Sequence, residues 1–515
     1  MDQVKESKIK HGASLLEEEA AGSTMAHLTG AAATELTLDP LDWNEQRQLA
    51  HRMLDDIFHH LETLRDQPAW QPLPAHVRES LREPLPRAPQ GEERAYRDFL
   101  QNVLPYASGN RHPRAWGWVR GNGTPFAMLA EMLAAGMNTN AAGGQQAATY
   151  VEEQTLAWFA ELMEMPAGTS GIFVSGGTMA NLLGLTVARN AKAGSNVREE
   201  GLQGGHQKLV IYGSAETHMW AQKSIELLGL GRSAFRQIAV NRNFEIDTAT
   251  LSQQIRADRA AGLRPIAVIA NAGTVNTGAV DCIPLLRNIC DEEGLWLHVD
   301  GAFGALLKLS PEYKHLVAGI ELADSLAFDL HKWMYLPFEI GCLLVRDAEA
   351  HAGTFAAQAS YLETTTRGML ADGLRFADRG IELSRSFKAL KAWMSLKAYG
   401  TEMHGELITQ NVDQAAYLES LVCNHNELEL LAPRVMNVVC FRYRPHQETP
   451  QDQLNQVNRE IVLRLQESGE FIVSGTTLRG DYAIRVANTN HRSRMEDFDA
   501  LVKAVAAHGR ELIFS

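Results

Sequence analysis

This 515-residue chain has little of what several protein classes require. Its five cysteines, Cys282, Cys290, Cys342, Cys423 and Cys440, form no C-x-x-C spacing. That argues against a disulfide framework and suits a reducing compartment, so the cytoplasm is the expected location. No apolar run approaches the length needed to span a membrane, and no membrane association is expected. The polar N-terminus, with Glu17, Glu18 and Glu19, lacks the apolar core of a signal peptide. Positive charge is in deficit: the net charge is −14, which argues against a nucleic acid as main partner. No internal repeat, low-complexity tract or metal-ligand spacing is evident, and no metal is expected.

What is present is alternation. Candidate strands occur at 171–175, 208–213, 236–240, 265–271, 295–300, 325–330 and 341–346. Helical patterns lie between several of them, at 178–191, 220–228, 248–261 and 285–293. Such alternation predicts an α/β fold: a mostly parallel seven-stranded sheet covered by helices on both faces. A long helix near 386–399 leads to a smaller α+β section. It has strand-like runs at 434–443 and 482–487 and helices near 453–468 and 495–508. The expected organisation is a poorly ordered extension over 1–40 and a helical segment over 41–122, including a helix from Leu41 to Leu64. A large domain over 123–400 and a small C-terminal domain over 401–515 follow.

Chemistry concentrates at the expected strand ends. Leu295-Trp296-Leu297-His298-Val299-Asp300 is an apolar run closed by an acid, and Ser325-Leu326-Ala327-Phe328-Asp329-Leu330-His331-Lys332-Trp333 closes on a lysine. A buried acid is costly without a cation, so Asp300 is expected to meet one; a structural salt bridge would satisfy that as well as a ligand would. A lysine amine can capture an aldehyde, and an acid can keep a pyridine nitrogen protonated, which is what a pyridoxal-phosphate enzyme needs. Desolvation and neighbouring positive charge would activate that lysine. Val174-Ser175-Gly176-Gly177-Thr178 joins a strand to a helix and suits an anion, although Thr178 can equally be a helix cap. His218 can stack on a flat ring or simply pack. Thr274, in Gly273-Thr274, can touch such a ring or shape a loop, and Ala302 is small enough to lie against one. In an open parallel sheet, ligands bind beyond the carboxyl ends of the strands. Gly177, Asp300 and Lys332 all fall near such ends, which points to one site.

These stretches, with Ala323-Asp324-Ser325, Ala180-Asn181-Leu182 and Asn490-His491-Arg492, resemble the group II pyridoxal-phosphate-dependent amino acid decarboxylases, the aromatic L-amino acid decarboxylases among them. The likeness runs from about His112 to Asp497. It implies the aspartate-aminotransferase-like type I fold and a homodimer with its site at the interface. It implies that Lys332 is the Schiff-base lysine, Asp300 the partner of the pyridine nitrogen and His218 the ring-stacking histidine. Gly177, Thr178, Asp329 and His331 resemble phosphate-side contacts, and Thr274 and Ala302 flank the ring. The implied activity is that of a carboxy-lyase, converting an amino acid to its amine and carbon dioxide; an aromatic substrate is favoured. Trp116 and Trp118 could hold an aromatic side chain or pack an interface, and Arg114 or Arg120 could instead hold a distal acid. One departure stands out. Phe376 aligns where aromatic decarboxylases carry a loop tyrosine that reprotonates the carbanion, and no tyrosine occurs between Leu362 and Lys391. Members lacking that tyrosine include aldehyde synthases, so oxidative deamination is the alternative; for decarboxylation without it, His218 over the ring could be the proton donor. Transamination, and a retired enzyme serving as a scaffold, remain the other readings.

Overall fold

The computed structural model describes residues 36–203, 207–357, 367–369, 371, 374–445 and 447–513. The N-terminal extension expected over 1–40 lies almost wholly outside them. The chain divides into two compact units, 1–57 and 58–515. The expected first helix is present as α1 (Trp43–Glu62).

Two helices that no amphipathic period announces precede the first strand of the second unit. They are α2 (Pro125–Met137) and α3 (Ala147–Leu162). In α2 apolar residues surround the axis, so the sequence shows no polar face. Its start is nonetheless encoded: Thr124 accepts the Ala127 N–H as N-cap, and Pro125 follows at the first helical position.

The central section then alternates as expected. Its elements are β1 (Ser170–Val174), α4 (Gly177–Lys192), β2 (Leu209–Ser214), α5 (Trp220–Leu227), β3 (Phe235–Ile238), α6 (Thr248–Ala260), β4 (Arg264–Asn271), α7 (Ile283–Glu293), β5 (Trp296–Asp300), β6 (Ser325–Asp329) and β7 (Gly341–Val345). The seven strands form one sheet in the order β1-β7-β6-β5-β4-β2-β3. Pairing is parallel from β3 through β6, while β7 is antiparallel to both β6 and β1. Residues of β4, β5 and β6 are buried on both faces, because helices cover the sheet on each side. The register pairs Asn271 with Asp300 and Asp300 with Ala327. One edge of the sheet thus receives the ends of β4 and β5, and β6 runs on to Asp329 beside them.

A long helical run, α8 (Ala389–Cys423), turns at Gly400, whose φ of +69° leaves the helical region. It leads to a second, antiparallel sheet of β8 (Leu428–Leu430), β9 (Val438–Tyr443), β10 (Ser474–Leu478) and β11 (Asp481–Ala487), ordered β10-β11-β9-β8. Helices α9 (Gln451–Glu467) and α10 (Met495–Ile513) accompany it. A second apolar core sits here, built on Phe441, Ile461, Phe471, Phe498 and Leu501.

Candidate active site

At the carboxyl edge of the large sheet lies a cavity of about 550 Å³. Its walls include Gly177, Thr178, His218, Asp300, Ala302, Asp329, His331 and Lys332, from loops and strand ends up to 155 positions apart in the chain (Gly177 to Lys332). Trp118, Arg120, Val275, Phe338 and Glu339 complete it toward the outside.

Asp300 ends β5 and is almost fully buried. Its Oδ2 accepts the indole N–H of Trp220 at 2.5 Å, and its Oδ1 accepts the Ala302 N–H at 3.0 Å. No lysine or arginine among the described residues pairs with it, so the structural salt bridge that the sequence left open is absent. A buried carboxylate held by neutral donors alone still favours a cation. A protonated ring nitrogen would supply one.

Lys332 sits on a short helical turn (Leu330–Trp333) directly after β6, with Nζ 2.8 Å from Asp329 Oδ2. The positive surroundings expected for this amine are therefore not what it meets: its nearest charged group is an acid. The reason is the tight turn, which folds Lys332 back over the strand's last residue. Asp329 is buried, and its Oδ1 has no hydrogen-bond partner. Gly177, the first residue of α4, lies so near that an added Cβ would stand 2.8 Å from Asp329 Oδ2. Glycine at this position lets the helix start, with its free N–H groups, reach the cavity floor.

His331 hydrogen-bonds through Nδ1 to the Ile340 carbonyl at 2.9 Å, and its ring lies 4.4 Å from that of Phe338. Burial holds its pKa below the ordinary histidine value. His218 presents its ring to the cavity. The Trp220 N–H donates to its Nδ1 at 3.2 Å, which leaves the proton of a neutral ring on Nε2. Desolvation by the surrounding walls lowers its pKa, against an opposing pull from Asp300.

Some expected residues are elsewhere. Thr274 is buried beside the lining; its Oγ1 is spent on Thr277 and the Ala279 N–H, so it shapes the 273–279 loop. Trp116 belongs to the second core, its indole stacked 4.7 Å from Phe498 and its N–H donated to Ser493. It is no cavity wall, because the chain reverses its exposed side between Trp116 and Trp118. Phe376 is fully buried outside the cavity, with the guanidiniums of Arg379 and Arg385 over its ring at 5.3 and 5.1 Å. Much of the loop preceding it lies outside the described residues. Trp118 does line the cavity, with the Arg120 guanidinium 4.4 Å above its ring. Trp220 was not singled out by sequence, although an indole two residues beyond a strand-end histidine was the available signal. Phe338 and Glu339 gave none.

The residues fit pyridoxal phosphate. Lys332 would bind its aldehyde, Asp300 would face its ring nitrogen, and the start of α4 with Thr178 would take its phosphate. His218 and Ala302 would flank its ring. Fold and site together define a pyridoxal-phosphate-dependent enzyme of the type I fold.

Comparison with known proteins narrows this class. Residues 74–444 match the model of the pyridoxal-dependent decarboxylase conserved domain. The chain is 31% identical over 482 residues to an aromatic-L-amino-acid decarboxylase of Bacillus atrophaeus, covering 92% of this chain and 98% of that one. The crystal structure of Oryza sativa TDC with PLP and tryptamine superposes with a TM-score of 0.85 at 25% identity, over 92% of this chain and 99% of that one. Rhodiola rosea 4-hydroxyphenylacetaldehyde synthase gives 0.82 at 25% identity, over 92% and 99%. The chain belongs to the pyridoxal-dependent decarboxylase family. It is a pyridoxal-phosphate-dependent carboxy-lyase that decarboxylates an amino acid.

Proposed function

We propose that the substrate is an aromatic L-amino acid, released as its amine, with Lys332, Asp300 and His218 as the catalytic residues. The observation that carries this reading is the composition of the cavity. A buried acid with no cation and an acid-paired lysine share it with the exposed aromatic faces of Trp118 and Phe338. Aromatic side chains stack on such faces. The names of the relatives support the same class.

Pyridoxal phosphate supplies an electron sink for the carbanion left when the α-carboxylate departs. The chain's own groups do the rest. Asp329, paired with the Lys332 amine at 2.8 Å, would fix where that amine stands in the cavity. Asp300, oriented by Trp220 and Ala302, would hold a proton on the ring nitrogen. His218, whose Nδ1 accepts the Trp220 N–H, would offer Nε2 toward the reacting centre as the atom that takes up and hands on a proton. Apolar walls at Val119, Val275 and Phe303 exclude water from the reacting centre.

Aldehyde formation is suggested by Phe376, by the lack of any tyrosine between Leu362 and Lys391, and by an aldehyde synthase among the relatives. Decarboxylation to the amine is the better reading because aromatic amino acid decarboxylases predominate among the named relatives. We further infer a homodimer in the cytoplasm. Met132, Leu133 and Met137 of α2 are about half exposed, an apolar face suited to a second copy. Cys282 and Cys423 are free and exposed, which suits a reducing compartment. No helix among the described residues is long and apolar enough to cross a membrane. The two sheets fall on either side of residue 400, and we propose a large domain over 123–400 and a small one over 401–515 within the compact unit 58–515.

The test is a panel of the twenty amino acids plus hydroxylated aromatic analogues, with carbon dioxide, amine and peroxide measured together. Amine and carbon dioxide in equal amounts from an aromatic substrate are expected. Turnover confined to acidic or aliphatic amino acids would reject the aromatic assignment, and equimolar peroxide would restore the aldehyde reading.

A further inference from the structure

No residue of the C-terminal sheet lines the cavity, yet that sheet buries a full positive charge behind its wall. Arg485, on β11, is 3% exposed. No carboxylate among the described residues pairs with it, and its Nη2 has no hydrogen-bond partner. A buried, unpaired guanidinium is costly, so its placement calls for a compensating role.

Its other nitrogens reach two main-chain carbonyls. Nε donates to the Asn276 carbonyl at 3.0 Å, and Nη1 donates to the Trp118 carbonyl at 3.1 Å. Nη1 also donates to Ser474 Oγ at 3.2 Å, and the Trp118 N–H donates to that same oxygen at 3.2 Å. Both main-chain groups of Trp118 are thus tied to β10 and β11. Trp118 needs such restraint, because its φ of +59° is one that few non-glycine residues adopt. Asn276 adjoins the wall residue Val275 and extends the clasp. Its Oδ1 accepts the Thr476 hydroxyl at 2.9 Å, and its Nδ2 donates to Glu216 Oε2 at 2.8 Å, two residues before His218.

We propose that Arg485 is a positioning residue for the reaction. From outside the cavity it holds the Trp118 wall, and through Asn276 the Val275 and His218 segments, in one register. A guanidinium suits this task because its fixed fork spans two separate carbonyls, which an ammonium cannot do. The proposal rests on the cavity being the substrate site, whatever the amino acid.

The experiment uses the full-length holoenzyme and its best amino acid substrate. Arg485→Met, Trp118→Ala and their double variant are compared with wild type for KM and kcat separately. Cofactor absorbance and thermal midpoint are recorded alongside. Arg485→Met is expected to raise KM roughly tenfold with kcat within about threefold, the scale of one lost charged hydrogen bond. In the Trp118→Ala background it should add clearly less than about tenfold, because the arm through Trp118 is already lost and only the arm through Asn276 remains. Arg485→Lys should recover only part of the loss. An unchanged KM in Arg485→Met would overturn the proposal, as would losses that track cofactor content or that multiply fully with Trp118→Ala. Should Arg485→Met not fold, Arg485→Lys and Ser474→Ala decide: raised KM in both supports the clasp, and wild-type KM in both rejects it. Failure of the aromatic assignment reads separately, since the KM comparison is made on whichever amino acid the wild type consumes.

Discussion

Replacing Trp220 by Phe removes one atom group that matters and keeps most of what surrounds it. The indole N–H is one of two donors that hold the Asp300 carboxylate, at 2.5 Å; the Ala302 N–H at 3.0 Å is the other. A phenyl ring retains most of the edge contact that Trp220 makes with His298 at 5.8 Å. The backbone N–H that fixes the His218 ring is untouched. A hydrogen bond to a charged group in a buried site contributes about 1.5–3 kcal/mol. If Asp300 is the group that stabilises a protonated ring, that energy is lost where charge develops. kcat/KM should then fall roughly 10- to 150-fold at saturating cofactor, and cofactor affinity should weaken in the same direction. The smaller ring leaves a cavity costing about 1–2 kcal/mol of stability, visible as a modest drop in thermal midpoint. The assay is carbon dioxide release against substrate concentration, with cofactor binding followed by absorbance. Wild-type kcat/KM together with wild-type cofactor affinity in Trp220→Phe would refute the role given to this hydrogen bond, and with it the mechanism drawn around Asp300.

Phe376→Tyr should leave the ratio of amine to peroxide unchanged, because the ring is buried outside the cavity; a rise in that ratio, measured by product analysis, would show that the loop visits the reacting centre. Arg385→Met should destabilise the fold by about 3–5 kcal/mol in urea unfolding, because it strands the fully buried Glu152 that Arg385 grips at 2.5 and 3.0 Å. A double variant that also neutralises Glu152 should recover part of that loss. Stability should decline as pH falls below 6.5. His298 and His491 have folded pKa values near 3, and His112 and His351 near 4, all depressed chiefly by burial. Above 6.5 these rings are neutral in both states and contribute no slope. Between 6.5 and about 4 the unfolded chain takes up protons that the folded one refuses, which favours unfolding. Chemical denaturation at stepped pH reads this directly, and a flat profile over that window would contradict it.

Much of the fold is legible in residue order because its signals are local. The seven strands of the large sheet announce themselves as short apolar runs, and α4 to α7 as periodic stretches between them. Each observed element lies within a few residues of its expected span. Helix α2 escaped because apolar residues surround it on nearly every side, and α3 because its buried face carries the polar residues Thr149, Glu152 and Thr155. Strands β8 and β10 escaped because short, partly exposed edge strands carry little pattern.

The site divides in the same way. An acid closing one buried strand, a lysine just past another and a glycine-led helix start could each be read from neighbours in sequence, since strand ends of a parallel sheet share one edge. Which side chains beyond them reach that edge is a matter of packing. Trp116 and Trp118 look alike in sequence, yet one stacks in the second core and the other faces the cavity. Phe376 aligned with a reactive position and proved to be a core residue. Asp300's indole donor and Arg485's clasp depend on contacts between residues 80 and 367 positions apart, which no local pattern encodes. Residue order determined the chemistry this chain can carry; only close packing of distant segments decided which groups face the reaction and which merely hold them there.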